Sequence, residues 1–372
     1  MTQRFPQRKI ISVTLFYGGI YNTLYEYVDV YGSECDERKG DCMMNNNSVK
    51  LILTQAMNGK SIEVEDAIIL MNPDITPLSE LIQTSDAITR RTFGNIIDMC
   101  AIYPAKVGQC SGDCAFCSQS VHHNCNVTPI HTSALNETEI VANAKELYRL
   151  GVGHYSLVTS GESLTDLEFD KILSIFQKIK AKTGISLCAS LGSLTFERAV
   201  RLKEVGVSRY HHNIETSRSY FSLICSTHSY DEKIETLNIA RQSGLEICCG
   251  GIISMGETPE QRVEMAFAIR DLNVTCVPIN ILNPIPGTRL ENQTLLTSDD
   301  ILRTIAVFRL ILQDKPLRFA GGRDKALGEN EYLGYDAGIN AMIVGNYLTT
   351  AGKSYDEEIR NIKRAGYTIQ SK

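Results

Sequence analysis

At 372 residues, 43% of them hydrophobic and 22% charged, the chain has the apolar content of a packed globular protein and not of a disordered one. Acidic residues (43) outnumber basic ones (37), for a net charge of −6, so no basic excess advertises nucleic acid or an anionic membrane as a partner. No apolar run reaches the ~18–20 residues that span a bilayer. The N-terminal basic-then-apolar stretch lacks a small-residue cleavage site, so no signal peptide is expected and the protein is expected in the cytoplasm.

Residues 1–43 read as an atypical extension, rich in aromatics, with a charged patch (CDERKGDC, 35–42) and no sustained period. Met43 or Met44 is an alternative natural start. Residues 44–93 carry a helical pattern with a turn signal at Asn72-Pro73-Asp74, and form a helical lead-in. From 94 to 372, short apolar strands alternate with amphipathic helices. Strands are predicted over 95–103, 154–159, 185–190, 209–214, 246–253, 276–282, 317–321 and 341–345. Helices are predicted between them, several ending in glycine.

Eight strands separated by helices predict an α/β fold: a parallel (β/α)8 TIM-type barrel with a helical N-terminal lead-in. An open doubly wound sheet is the competing architecture. The count of eight and the lack of a dinucleotide glycine loop favour the barrel, whose chemistry belongs at the C-terminal ends of the strands.

Twelve cysteines in a reducing compartment point to metal binding or catalysis before disulfides. Three are bunched as Cys110-Ser-Gly-Asp-Cys114-Ala-Phe-Cys117, directly after the first barrel strand. Three thiolates on one loop can ligate three irons of a [4Fe–4S] cubane, leaving the fourth iron open to an amine and a carboxylate. The alternative is a closed zinc site completed by Cys125, His122 or His123.

CxxxC-x-aromatic-C in that position resembles the radical S-adenosylmethionine (SAM) enzymes. CSGDCAFCSQSVHH is similar to the biotin synthases in particular. LVTSG (157–161), YHHNIETS (210–217), CCGGIISMGET (248–258), VPINILNPIPGT (277–288), LRFAGGR (317–323) and VGNYLTTAG (344–352) resemble that family in order, over roughly residues 70–367. The resemblance implies Cys110, Cys114 and Cys117 as cubane ligands, with SAM on the open iron cleaved reductively to methionine and a 5′-deoxyadenosyl radical. It implies Phe116 as a contact to the SAM adenine, standing where the family has Tyr. Asn213 and Glu215 would hold the ribose hydroxyls, with Glu in place of the usual Asp. Asn280, together with Asn213, would hold the ureido ring of dethiobiotin. An amide offers a urea both donor and acceptor. For Asn280 the competing reading is a loop-capping side chain. His211 replaces a family Asn and is read as a lumen histidine satisfied by a neighbour. His122 and His123 are read as structural.

The resemblance also implies an auxiliary iron–sulfur cluster that donates sulfur, held by three cysteines and an arginine. Here Cys188, Cys248 and Arg318 match, but the second-strand ligand is Ser156, a poor donor to soft metals. Cys100 and Cys276 stand where the family has serines, and strand alternation turns both toward the lumen. One thiolate is lost and two are gained, so Cys100, Cys188, Cys248 and Cys276 are the expected ligands, with Arg318 near or at the cluster. Thiolates on four strands favour a four-iron cluster over [2Fe–2S]. Cys249 and Cys225 are not expected to ligate. The family implies a low-potential reductant such as flavodoxin or ferredoxin, and a homodimer. The competing functions are a related maturase of the hydrogenase-cofactor type and a non-catalytic metal-binding protein.

Overall fold

The computed structural model describes residues 7–17, 20–30, 41–345 and 352–369. The remainder of the 35–42 patch and positions 346–351 of the VGNYLTTAG segment lie outside the described residues. Two compact units divide at Ser48/Val49. In the first, β1 (Gln7–Tyr17) and β2 (Ile20–Val30) pair antiparallel from Gln7↔Val30 to Tyr17↔Ile20. A two-residue Gly18-Gly19 connection between strands rich in β-branched and aromatic residues is the composition such hairpins use. This hairpin stands where the sequence reading found no period.

The second unit begins within the helix Asp41–Met57 and continues through helices Val64–Met71 and Leu78–Phe93. The last two pack over the outer helix Ser298–Ile311, which is why that helix is buried from Ile301 to Ile311.

The barrel strands are β3 (Ile96–Lys106), β4 (His154–Thr159), β5 (Ser186–Ser190), β6 (Val207–His211), β7 (Glu246–Cys248), β8 (Gly251–Ile253), β9 (Val277–Ile281), β10 (Leu317–Phe319) and β11 (Ala341–Ile343). All pair in parallel, in the order β7-β6-β5-β4-β3-β11-β10-β9-β8. β7 and β8 are two halves of one strand, interrupted at Cys249-Gly250, and Cys248 pairs with Cys276 across the gap. The ring therefore closes as an eight-stranded barrel, and each predicted strand is present within a few residues. A final strand, β12 (Thr368–Ile369), pairs with the start of β3.

Side-chain caps fix where the outer helices begin. Asn136 accepts from the Thr138 and Glu139 amides, and Thr165, Ser229 and Thr258 each form a reciprocal capping box with the residue three further on. Gly250 sits in the strand break because a Cβ there would meet the Pro278 carbonyl. The backbones of neighbouring strands approach too closely for any other residue. Among the described residues no helix is long and apolar enough to cross a membrane.

Candidate active site

A cavity of about 390 Å³ fills the barrel lumen and opens at the C-terminal ends of the strands. Phe116 and Cys117 line its mouth. Cys100, Ser156, Cys188, Cys248, Arg209 and Arg318 line its depth, with His211, Asn213, Glu215 and Asn280 between.

The depth is set by register. Ser156 lies opposite Cys188, Cys188 opposite Arg209, and His211 opposite Cys248. Cys276 is buried next to Cys248 and does not line the cavity, although its thiol reaches that of Cys248. Cys249 turns to the outer face and packs in the core. Two guanidiniums share this layer. Arg318 pairs with Asp98 at 2.5 Å, and Arg209 with Glu246 at 2.8 Å. Burial pushes the Cys188 and Cys100 thiols up, with Arg318 opposing it at Cys100. The bond to Cys248 and burial together hold Cys276 well above the usual thiol range. Without a metal, then, these thiols are protonated, and a cluster binding here must displace their protons.

The lumen residues fit an anionic, soft-metal group. Ser156 Oγ, Thr159 Oγ1 and Arg318 Nε are buried without a hydrogen-bond partner, and buried polar atoms of native proteins are normally satisfied. Three thiols and two fixed cations line the depth of the cavity, with the Cys276 thiol against that of Cys248 behind its wall; this is a donor set for an iron–sulfur cluster, and the cations offset its charge.

At the mouth, Cys110 and Cys117 flank a turn in which His123 Nδ1 lies 2.7 Å from the Cys117 carbonyl and His122 Nε2 3.0 Å from the Ser111 carbonyl. The two histidines shape the loop. Cys125 Sγ is 3.3 Å from the Pro286 carbonyl. Burial raises the Cys117 thiol to about 11. Cys114 Sγ stands 3.8 Å from Cys225 Sγ. A loop offering three thiols beside an open cavity is a donor set for a cubane with one free iron.

Between mouth and depth, the Asn213 amide accepts from Gly250 N at 3.0 Å and donates to Glu215 at 3.5 Å. Glu215 has φ 68°, a left-handed backbone uncommon for a non-glycine residue. Its carboxylate is 3.9 Å from Lys233 Nζ. Asn280 donates to Gly251 O at 3.2 Å and accepts from Gly321 N at 3.0 Å. His211 Nδ1 lies 3.4 Å from Cys248 Sγ, and burial lowers its pKa.

Arg209 and Asp98 escaped sequence reasoning, as did His154, whose Nε2 lies 3.7 Å from Asp98 and whose Nδ1 lies 4.0 Å from Cys188 Sγ. Alternation back from His211 along β6 puts Arg209 on the lumen face, so that signal was present. Asp98 shares a face with Cys100 in the same way.

Residues 106–269 match the Radical SAM superfamily, and residues 278–368 match the Biotin and Thiamin Synthesis associated domain. The biotin synthase of Acetivibrio thermocellus is 50% identical over 84% of this chain and 96% of its own length. That of Carboxydothermus hydrogenoformans is 43% identical over 87% of this chain and 99% of its own. Among solved structures, methylornithine synthase superposes with TM-score 0.73 at 16% identity, covering 86% of this chain and 97% of that one. A maturase of the [FeFe]-hydrogenase superposes with TM-score 0.75 at 18% identity, covering 89% and 77%. These two likenesses concern the fold. Half-identity along nearly the whole length of a relative goes further, and with a thiol-rich lumen beneath a CxxxCxxC loop it places this chain in the biotin synthase family.

Proposed function

We propose that the chain forms biotin from dethiobiotin by radical SAM-dependent sulfur insertion, the last step of biotin biosynthesis. One observation carries the reading: Cys117 of the triplet loop and the buried Cys100, Cys188 and Cys248 line a single cavity. A substrate held there faces the radical source at one end and a sulfur source at the other.

Cys110, Cys114 and Cys117 would hold the [4Fe–4S] cluster, and Cys100, Cys188, Cys248 and Cys276 an auxiliary cluster of four-iron type. When bound, these groups and SAM supply the hydrogen-abstracting radical and the sulfur. The protein's own share is placement. Phe116 would cover the adenine at the mouth. Asn213 and Glu215, fixed by the backbone of the β7–β8 break and by the left-handed turn, would take the ribose hydroxyls. The remaining amide hydrogen and lone pair of Asn280 would meet the ureido ring. Arg318, tied to Asp98, and Arg209, tied to Glu246, would act as fixed charges against the anionic cluster. The enclosed lumen keeps water from a reactive carbon radical. A low-potential reductant such as flavodoxin or ferredoxin, a homodimer and a cytoplasmic location belong to the same proposal. Anaerobic reconstitution with iron and sulfide, then incubation with dethiobiotin, SAM and a reductant, tests it. Biotin is the expected product. SAM cleavage without biotin, at full cluster content, would overturn the assignment.

A further inference from the structure

Among the described residues, Cys248 is the one proposed auxiliary ligand whose sulfur is met at short range by a nitrogen able to donate. His211 Nδ1 lies 3.4 Å from Cys248 Sγ. The other lumen thiols have nothing comparable. Cys100 Sγ faces the Ala101 carbonyl, an acceptor, at 3.7 Å, and Cys188 Sγ is 4.0 Å from His154 Nδ1. Cys276 meets the sulfur of Cys248. Of the two nitrogens of His211, Nδ1 alone contacts the sulfur. The sulfur therefore sits off the Nδ1 edge of the ring, where an N–H points, and not over the ring face, from which both nitrogens would be about equally near.

The pairing is fixed by strands and not by a loop. His211 ends β6 directly opposite Cys248, which ends β7. The chain beyond His211 is stapled to the β7–β8 break. His212 N donates to Cys248 O at 3.0 Å, Ile214 N to Gly250 O at 3.1 Å, and Gly250 N to Asn213 Oδ1 at 3.0 Å. His211 and Cys248 line the same cavity. An iron-bound thiolate has no proton and can only accept, so the ring hydrogen facing it stands on Nδ1 whatever the charge of the ring. In the neutral ring this leaves a lone pair on Nε2.

We propose that His211 is a positioning residue for sulfur insertion: its Nδ1–H donates to the Cys248 sulfur, fixes that ligand's side chain and raises the reduction potential of the auxiliary cluster. The bond draws charge off the thiolate and so favours the more negative, reduced state; hydrogen bonds to the sulfurs are among the levers that set such potentials. The inference rests on the reading of Cys248 as an auxiliary-cluster ligand. It also says which replacement should serve. The amide nitrogen of Asn hangs from Cγ, as Nδ1 of His does, whereas that of Gln reaches the place of Nε2.

The potential is read in full-length protein carrying Cys110→Ala, Cys114→Ala and Cys117→Ala, which leaves the auxiliary cluster alone to titrate. This parent and its His211→Leu, His211→Gln and His211→Asn derivatives are reconstituted anaerobically, their iron and sulfide are counted, and each is titrated with EPR and absorbance detection. All four should hold the same iron. His211→Leu and His211→Gln should titrate at a lower potential than the parent, and His211→Asn close to it. Asn and Gln carry the same amide, so a difference between them reports which ring nitrogen matters and not a loss of fold. One potential shared by the parent, His211→Leu and His211→Gln would overturn the proposal. So would equal loss of iron from His211→Asn and His211→Gln, which would make the ring a ligand. Wild type that holds the cubane alone would overturn the auxiliary cluster itself and this inference with it, whereas a second cluster indifferent to position 211 overturns this inference only.

Discussion

Replacing Asn280 by Ala separates two jobs that its amide can do. One end of the amide bonds to Gly251 and the other to Gly321, so the side chain ties β9 to β8 on one side and to the end of β10 on the other. A primary amide has two donor hydrogens and two acceptor lone pairs, which leaves one of each for a ligand. Asn280→Ala orphans two backbone groups at the cavity wall, each worth about 1–3 kcal/mol when left unpaired. Water entering the cavity recovers part of this, so the cluster-free protein should lose about 2–4 kcal/mol in urea unfolding. A lost bond to the ureido ring, about 1–3 kcal/mol, weakens dethiobiotin about 5–150-fold. Equilibrium binding of dethiobiotin to SAM-loaded, reconstituted protein reads the second effect, and SAM affinity is the internal control. If the variant is destabilised by that amount but binds dethiobiotin with unchanged affinity, Asn280 is a strand tie alone and the substrate role is refuted.

Changing Cys110, Cys114 or Cys117 to Ala should abolish reductive SAM cleavage, and normal 5′-deoxyadenosine formation in any of the three contradicts the cubane assignment. A chain beginning at Met43 or Met44 should fold, take up iron and keep activity, since the second compact unit starts at Val49; its failure to accumulate as folded protein counts against this. Arg323 faces two buried carboxylates, Glu331 and Glu358. Burial raises Glu358 to about 7 against the pull of Arg323, whereas an unfolded Glu titrates near ~4.3. A raised folded pKa gives stability that is present below the unfolded value and lost as pH rises through about 7. Glu358→Gln should remove that loss, so wild type should exceed the variant by more at pH 5 than at pH 8, the change amounting to up to about 3 kcal/mol. An equal difference at both pH values would refute it.

The barrel was legible because each strand is a short apolar run between capped helices. The break between β7 and β8 was not, since Cys249-Gly250 interrupts pairing without interrupting apolar character. The β1–β2 hairpin was missed although its signal was local: Gly18-Gly19 between Thr-, Tyr- and Val-rich segments. The triplet stood out by its spacing, Cys188 and Cys248 through the family resemblance, and Cys100 and Cys276 through strand alternation; the structure puts Cys100, Cys188 and Cys248 on the cavity wall and Cys276 behind it. The salt-bridged floor of Asp98, Arg209, Glu246 and Arg318 was less visible, because a sequence shows a charge but not the partner that lets it be buried.

Iron and sulfide content with Mössbauer spectroscopy, on reconstituted wild type and Cys100→Ser and alongside biotin formation, tests the proposed four-thiolate auxiliary cluster most directly. Wild type should hold two four-iron clusters, close to eight irons per chain (two times four, in the sense of cluster stoichiometry), and make biotin. Cys100→Ser should hold fewer irons and make none, while still cleaving SAM. A two-iron signature at about six irons per chain, or biotin formation by Cys100→Ser, would contradict the four-thiolate auxiliary cluster.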